Sequence, residues 1–201
     1  MKFLALDTSS PWTILALGDD GTCLVEHCFL AKQNQSSLLF PLIEELLKKT
    51  SLEISDLEAF AVVTGPGSFT GLRVGIATMK GFSFGTDKPV AALHALEFSA
   101  AASHEECVAP TVPSRRGYVF AAIYKKTPSF TTLLQPAEYP LDVFQIHVTQ
   151  HGATVTEPTS LSGQDLIRFA WQHFQQSKTT DAFGLTAVYL IDEVAKVKGT
   201  L

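Results

Sequence analysis

Cysteine is scarce and spaced badly for chemistry: Cys23, Cys28 and Cys107 are the only three in 201 residues. Without a CxxC pair or an even count, neither a zinc site nor a disulfide framework is expected. The three read as buried thiols in a reducing cytoplasm. Positive charge is also short, with 15 Lys and Arg against 20 Asp and Glu and a net charge of −5. The first hundred residues hold 7 basic and 11 acidic side chains and the remainder 8 and 9, so neither half is a basic nucleic-acid platform. If the protein serves RNA, another chain holds the RNA. Long apolar runs are missing as well. The run from Gly75 to Gly85 is broken by Lys80, and the run after Lys2 stops at Asp7. No stretch reaches the roughly 18 apolar residues of a membrane span, and the first run is too short for a signal peptide. The expected place is the cytoplasm, without a membrane.

What is present is a large apolar fraction, 46% hydrophobic against 17% charged. That composition supports a packed core in one large domain or two small ones. Lys2–Asp7, Trp12–Gly18 and Thr22–Leu30 read as strands, with Asp19-Asp20-Gly21 as the turn between the last two. Ser36–Thr50 reads as a helix capped by Ser36 or Ser37, with Pro41 tolerable only near its first turn. Ala59–Thr64 is a buried strand, Leu72–Phe84 a helix, Pro89–Leu93 a strand and Ala95–Ser103 a helix. Three antiparallel strands followed by alternating helix and strand predict an α/β fold with a mixed sheet covered by helices. Beyond residue 103, strands are expected at Cys107–Val112 and Tyr118–Tyr124, and helices at Ser162–Gln176 and Tyr189–Lys196. No sequence repeat is visible.

The most distinctive segment is Gly65-Pro66-Gly67-Ser68-Phe69-Thr70-Gly71-Leu72-Arg73-Val74-Gly75, between a strand and a helix. Amides at a helix start suit an anion, yet neither standard phosphate motif is there. Gly71 is followed by Leu72-Arg73 rather than Lys-Ser/Thr, and Thr70 stands where a dinucleotide fingerprint has glycine. Thr70 also breaks the Gly-x-Ser-x-Gly pattern that would make Ser68 a nucleophile. Two readings stay open: a phosphate loop, or a turn that lets the next helix pack tightly, the second being favoured. Asp7-Thr8-Ser9 closes the first strand where sugar kinases, heat-shock proteins and actins put an acid and a glycine. Ser9 replaces the glycine, so the turn reads as a worn phosphate site. The helix from Leu72 is apolar around most of its circumference, so either its own chain buries it deeply or a partner covers the rest.

His147 and His151 are four apart, but β-branched neighbours and Gly152 predict a loop or strand there, not a metal-binding helix face. His94 is followed four residues on by Phe98 and has no helical partner. Arg115 and Arg116 could meet an anion or form a solvated turn.

Lys2–Asp7 with Thr8-Ser9, the Gln35-Ser36-Ser37-Leu38-Leu39 helix start, and Gly65–Gly75 followed by Pro89-Val90 resemble the TsaB (YeaZ) family. Past Ser103 the likeness thins to Arg116–Val119 and Tyr189–Ala195, with Ile191 where arginine is expected. The resemblance implies an actin-like ATPase fold of two lobes, residues 1–103 and 104–201, each a mixed sheet with helices, the last helix returning to the first lobe. It implies a noncatalytic partner of TsaD, the paralogue that carries nucleotide and metal, with the ATPase TsaE joining them. That complex moves a threonylcarbamoyl group onto the adenosine beside the tRNA anticodon. Where TsaD has a His-x-x-x-His metal pair, this chain has His94 and Phe98, so no cofactor of its own is expected. The resemblance also places the partner interface, with TsaD or with a second copy, on the helices at 36–49 and 72–84. Leu39, Ile43, Arg73, Ile76, Met79 and Lys80 are the contacts expected, and tRNA is met only through the complex. The competing readings are a nucleotide phosphotransferase or ATPase built on Asp7, Thr8 and the glycine loop, and, more remotely, a protease.

Overall fold

Asp20 and Gly21 both take positive φ, 45° and 81°, and so reverse the chain between two strands of one hairpin. In the computed structural model, which describes residues 1–30, 35–157 and 161–190, that hairpin starts a five-stranded sheet. Its strands are β1 (Lys2–Asp7), β2 (Trp12–Asp19), β3 (Thr22–Leu30), β4 (Ala59–Gly65) and β5 (Val90–His94), in the order β3-β2-β1-β4-β5. The hairpin strands are antiparallel and β4 and β5 run parallel to β1. Both faces are buried, which is why β1 and β4 are continuously apolar.

Helices α1 (Gln35–Thr50) and α2 (Phe69–Thr86) cover one face. There Leu39, Ile43, Leu46, Leu72, Ile76 and Met79 meet Leu4, Leu6, Phe60 and Val62. Pro41 lies in the second turn of α1, one turn deeper than the sequence led us to expect. The other face is covered by α3 (Ala95–Ala102) and α5 (Gly163–Gln175). Although α5 belongs to the second half of the chain, Leu166, Ile167 and Ala170 lie in the core built on Phe3, Ala5 and Ala16. Ser162 and Asp165 cap its start reciprocally.

The second sheet holds β6 (Cys107–Pro113), β7 (Tyr118–Lys125), β8 (Thr131–Pro140) and β9 (Thr154–Thr156), in the order β8-β7-β6-β9. Its hairpins are antiparallel and β9 is parallel to β6. The first four strands of the first sheet have this connectivity too, so the fold repeats where the sequence does not. The outer face carries α4 (Leu141–His151), and the inner face meets Leu96 and Ala100 of α3. The expected two-lobed, actin-like arrangement of mixed sheets with helices is thus the fold.

Two expectations for the second half need correction. His147 and His151 stand on a helix, because Phe144 and Val148 bury on the sheet at helical spacing and outweigh the β-branched neighbours. The ten-residue β8 was not anticipated, since it lacks a buried apolar alternation. Tyr189 and Leu190 are not helical, and the rest of the helix expected at 189–196 lies outside the described residues.

Candidate functional site

The β1–β2 turn and the glycine segment meet face to face. Asp7 is 2% exposed and accepts a hydrogen bond from the Ser9 amide at 2.7 Å. Burial raises its pKa, against the opposing effect of the Ser9 donors. The Thr8 hydroxyl donates to the Gly71 carbonyl at 2.7 Å, and the Ser68 amide donates to the Ser9 carbonyl at 2.6 Å. Ser68 caps α2 by accepting from the Gly71 amide at 3.2 Å.

This contact explains the glycines. A Cβ on Gly71 would stand 2.0 Å from the Thr8 carbonyl oxygen, and one on Gly75 would stand 2.3 Å from the Thr8 hydroxyl. Gly67 faces the Ser9 carbonyl in the same way, and Gly65 holds a φ of 127° at the end of β4, beside the buried Pro66. The segment is therefore a seat for α2 against the first turn, as the packing reading held. The Ser9 amide, the Thr8 hydroxyl and the Ser68 amide each have a partner within the chain.

The histidines are placed apart from any cluster. Among the described residues, no three His, Cys, Asp or Glu side chains are grouped for a metal ion. Phe98 stacks on Phe169 in the core, with ring centroids 5.6 Å apart. His94 ends β5, and burial lowers its pKa from 6.5 to about 4. Arg115 lies in an exposed turn, as one of the two readings had it, but it is paired. Its Nε reaches both oxygens of buried Glu138, at 3.2 and 3.1 Å, and its guanidinium lies 3.8 Å over Tyr118.

The helix pair shows which side is left over. Leu39, Ile43, Ile76 and Met79, expected as partner contacts, instead face their own sheet and are buried in its core. Side chains with at most 8% of their surface exposed have little to give a partner, so these four are corrected to core residues. Lys80 is half-buried, and Arg73 is exposed, its guanidinium 3.8 Å over the Phe69 ring. Phe69 is 56% exposed beside Thr70 and carries Tyr189 at 5.9 Å. Along the same helix Ala77, Gly81, Phe84 and Gly85 are exposed, Phe84 by 70%. A Cβ on Gly81 or Gly85 would meet nothing within 4 Å. Phe40 of α1, 54% exposed, continues the strip through its edge contact with Phe82 at 6.1 Å. The missed residues Phe40, Gly81, Phe84 and Gly85 did have a signal. Gly81, Phe84 and Gly85 lie on the far side of α2 from the Leu72–Ile76–Met79 row, and Phe40 lies about a quarter turn from the Leu39–Ile43–Leu46 row.

Comparison with known proteins sets this geometry in a family. The model described as TsaD: tRNA N6-adenosine threonylcarbamoyltransferase matches residues 29–138. The tRNA threonylcarbamoyladenosine biosynthesis protein TsaB of Bacillus subtilis is 32% identical over 127 residues, 62% of this chain and 56% of that protein. The TsaB of Escherichia coli is 29% identical over 130 residues, 63% and 56% of the two chains. The chain thus spans about half the length of the curated relatives it matches. The solved structure of YeaZ from Pseudomonas aeruginosa has the same fold, with a TM-score of 0.79, 23% identity and coverage of 94% of this chain and 99% of that one. The glycine segment and helix pair lie within the match, and the chain belongs to the family whose model is described as TsaD: tRNA N6-adenosine threonylcarbamoyltransferase.

Proposed function

We propose that this chain is a noncatalytic scaffold that pairs with a TsaD-like catalytic paralogue in transferring a threonylcarbamoyl group to the tRNA adenosine beside the anticodon. The observation that carries the proposal is the strip on α2, where Phe84 is 70% exposed and Gly81 and Gly85 have no neighbour. Glycine inside a helix costs roughly 0.5–1 kcal/mol relative to alanine, so two with no packing role in their own chain point to close approach by another helix. Exposed Phe84 is the anchor such an interface needs, and Phe69, Arg73 and Phe40 extend it.

Nucleotide and metal belong to the partners on this reading, TsaD-like and TsaE-like, because the phosphate turn of this chain is filled by its own α2. A second copy can use the same strip in place of TsaD. The tRNA is met through the complex, in the cytoplasm. No helix among the described residues is long and apolar enough to cross a membrane.

The test is Phe84→Asp in the full chain. A surface change of this kind shifts unfolding by no more than about 0.5 kcal/mol. Affinity for the TsaD-like partner falls at least about tenfold, as for a hot-spot residue. tRNA modification in a mixture of all components falls with it. A folded variant that still binds and supports full modification overturns the proposal.

A further inference from the structure

The two sheets share a strand order but end differently. The first continues to β5, whose outer edge is closed by its own chain. The Val90 amide donates to the Thr180 carbonyl and the Thr180 amide to the Val90 carbonyl, both at 2.8 Å. The second sheet stops one strand sooner, at β9, and among the described residues no strand lies beyond it.

The pairing of β9 fixes what it turns outward. Thr154, Val155 and Thr156 stand opposite Val108, Ala109 and Pro110. In a parallel ladder, one residue of each facing pair bonds to the two residues flanking its partner. Val155 cannot be that residue, because its carbonyl would need an amide hydrogen from Pro110, which has none. The rungs therefore run from Ala109 to Thr154 and Thr156. Val155 directs its own N–H and C=O to the open edge, and its side chain is 45% exposed.

A cavity of about 500 Å³ lies against the Thr154 and Thr156 side of β9, walled by the end of α3 and the start of α5, with Glu105, Glu157, Leu161 and Asp165 in its lining. Three carboxylates thus line a cavity beside an edge that no strand among the described residues covers; Glu105 accepts from the Thr154 hydroxyl at 3.4 Å and Asp165 caps α5. None has a lysine or arginine nitrogen within 4 Å among the described residues. Such an edge rejects its own copy, which carries the same charges, and selects an extended segment of opposite charge.

We propose that the β9 edge binds an extended basic segment of another polypeptide, which adds to the sheet as a fifth strand. The backbone of Val155 pairs with the segment. Lysine or arginine side chains of the segment reach Glu105, Glu157 and Asp165, and its alternate apolar residues lie on the other face, toward Val155. The site shares no residue with the α2 strip and stands whether or not that strip binds TsaD.

The probe is a capped Lys-Val-Lys-Val-Lys-Val-Lys peptide titrated into the ¹⁵N-labelled full chain, with Glu-Val-Glu-Val-Glu-Val-Glu as the charge control. Saturable amide shifts centred on Val155 are expected, with Kd below about 1 mM at low salt and at least about fivefold weaker binding at 0.5 M salt. Val155→Pro deletes the outward amide while sparing the rungs to β6, and weakens binding at least about fivefold. The exposed double variant Glu105→Lys with Glu157→Lys weakens it at least about tenfold and decides the matter if the proline variant misfolds. Absence of saturable shifts, equal binding of the acidic peptide, shifts centred elsewhere, or binding indifferent to both variants would overturn the proposal.

Discussion

At the scale of single residues, the first turn holds an ionisable group in the wrong medium. Burial raises the Asp7 carboxyl above its ordinary value of 3.8. A carboxyl so raised keeps its proton in the folded chain after the unfolded chain has released it. Its contribution is full below pH 3.8 and is lost as the pH rises through the folded-state value. His94 acts in the opposite sense. Its folded value of about 4, against 6.5, gives stability that is full above pH 6.5 and lost as the pH falls through 4. The overall pH profile therefore hides Asp7, and only a difference between proteins isolates it. Asp7→Asn accepts from the Ser9 amide equally well and never ionises. It should be more stable than the parent at pH 7, and the advantage should vanish below about pH 4. Urea unfolding at both pH values checks this, and an advantage that stays constant with pH would mean that Asp7 ionises as freely as in the unfolded chain.

At the scale of elements, α2 carries glycines of two kinds. Gly71 is pressed on the Thr8 backbone, where a carbonyl cannot turn aside as a flexible side chain would. Gly71→Ala should destabilise by at least about 2 kcal/mol, the scale of an overpacked core. Gly81 has open space, and Gly81→Ala should stabilise the isolated chain by about 0.5–1 kcal/mol. Denaturant midpoints of both variants measure the pair, and equal effects would remove the distinction between seat and surface. The elements of the first lobe were legible because hairpin turns, buried runs and helical rows each carry a local signal. The facing of α1 and α2 was legible only by phase, since an apolar residue looks alike whether it meets its own sheet or a partner. Leu39 and Phe40 are neighbours in sequence with opposite fates. In the second lobe α4 was hidden by its β-branched residues, and β8 by the exposed Thr131, Thr132 and Leu133 at its start. The Glu138–Arg115 contact joins residues 23 apart, and no local pattern announces it.

At the scale of the whole molecule, the first lobe is finished by the second half of the chain. Leu166, Ile167, Phe169 and Ala170 of α5 complete the core on one face of the first sheet. Ile167 also lies so close to Gly18 that a Cβ there would meet it at 2.5 Å. Leu185 enters the core of the other face, the Val188 amide donates to the Thr64 carbonyl at 2.8 Å, and Leu190 is buried in the seam between the lobes. Cutting at residue 103 would thus bare Ala5, Ala16 and Leu93 on one side and part of the Leu4–Phe60 core on the other. Burial at roughly 25 cal/mol per Å² is what offsets chain entropy, and a domain of about a hundred residues has only 5–15 kcal/mol of net stability to lose. A fragment of residues 1–103 should therefore show no cooperative unfolding transition in circular dichroism. The full chain should unfold in one step, with Trp171 fluorescence, isolated by a Trp12→Phe background and reporting on α5 against the first sheet, coinciding with the far-ultraviolet signal from both lobes. If residues 1–103 melt cooperatively alone, the later segments only decorate a lobe that is complete without them. If they do not, then two halves with one strand order still make a single folding unit.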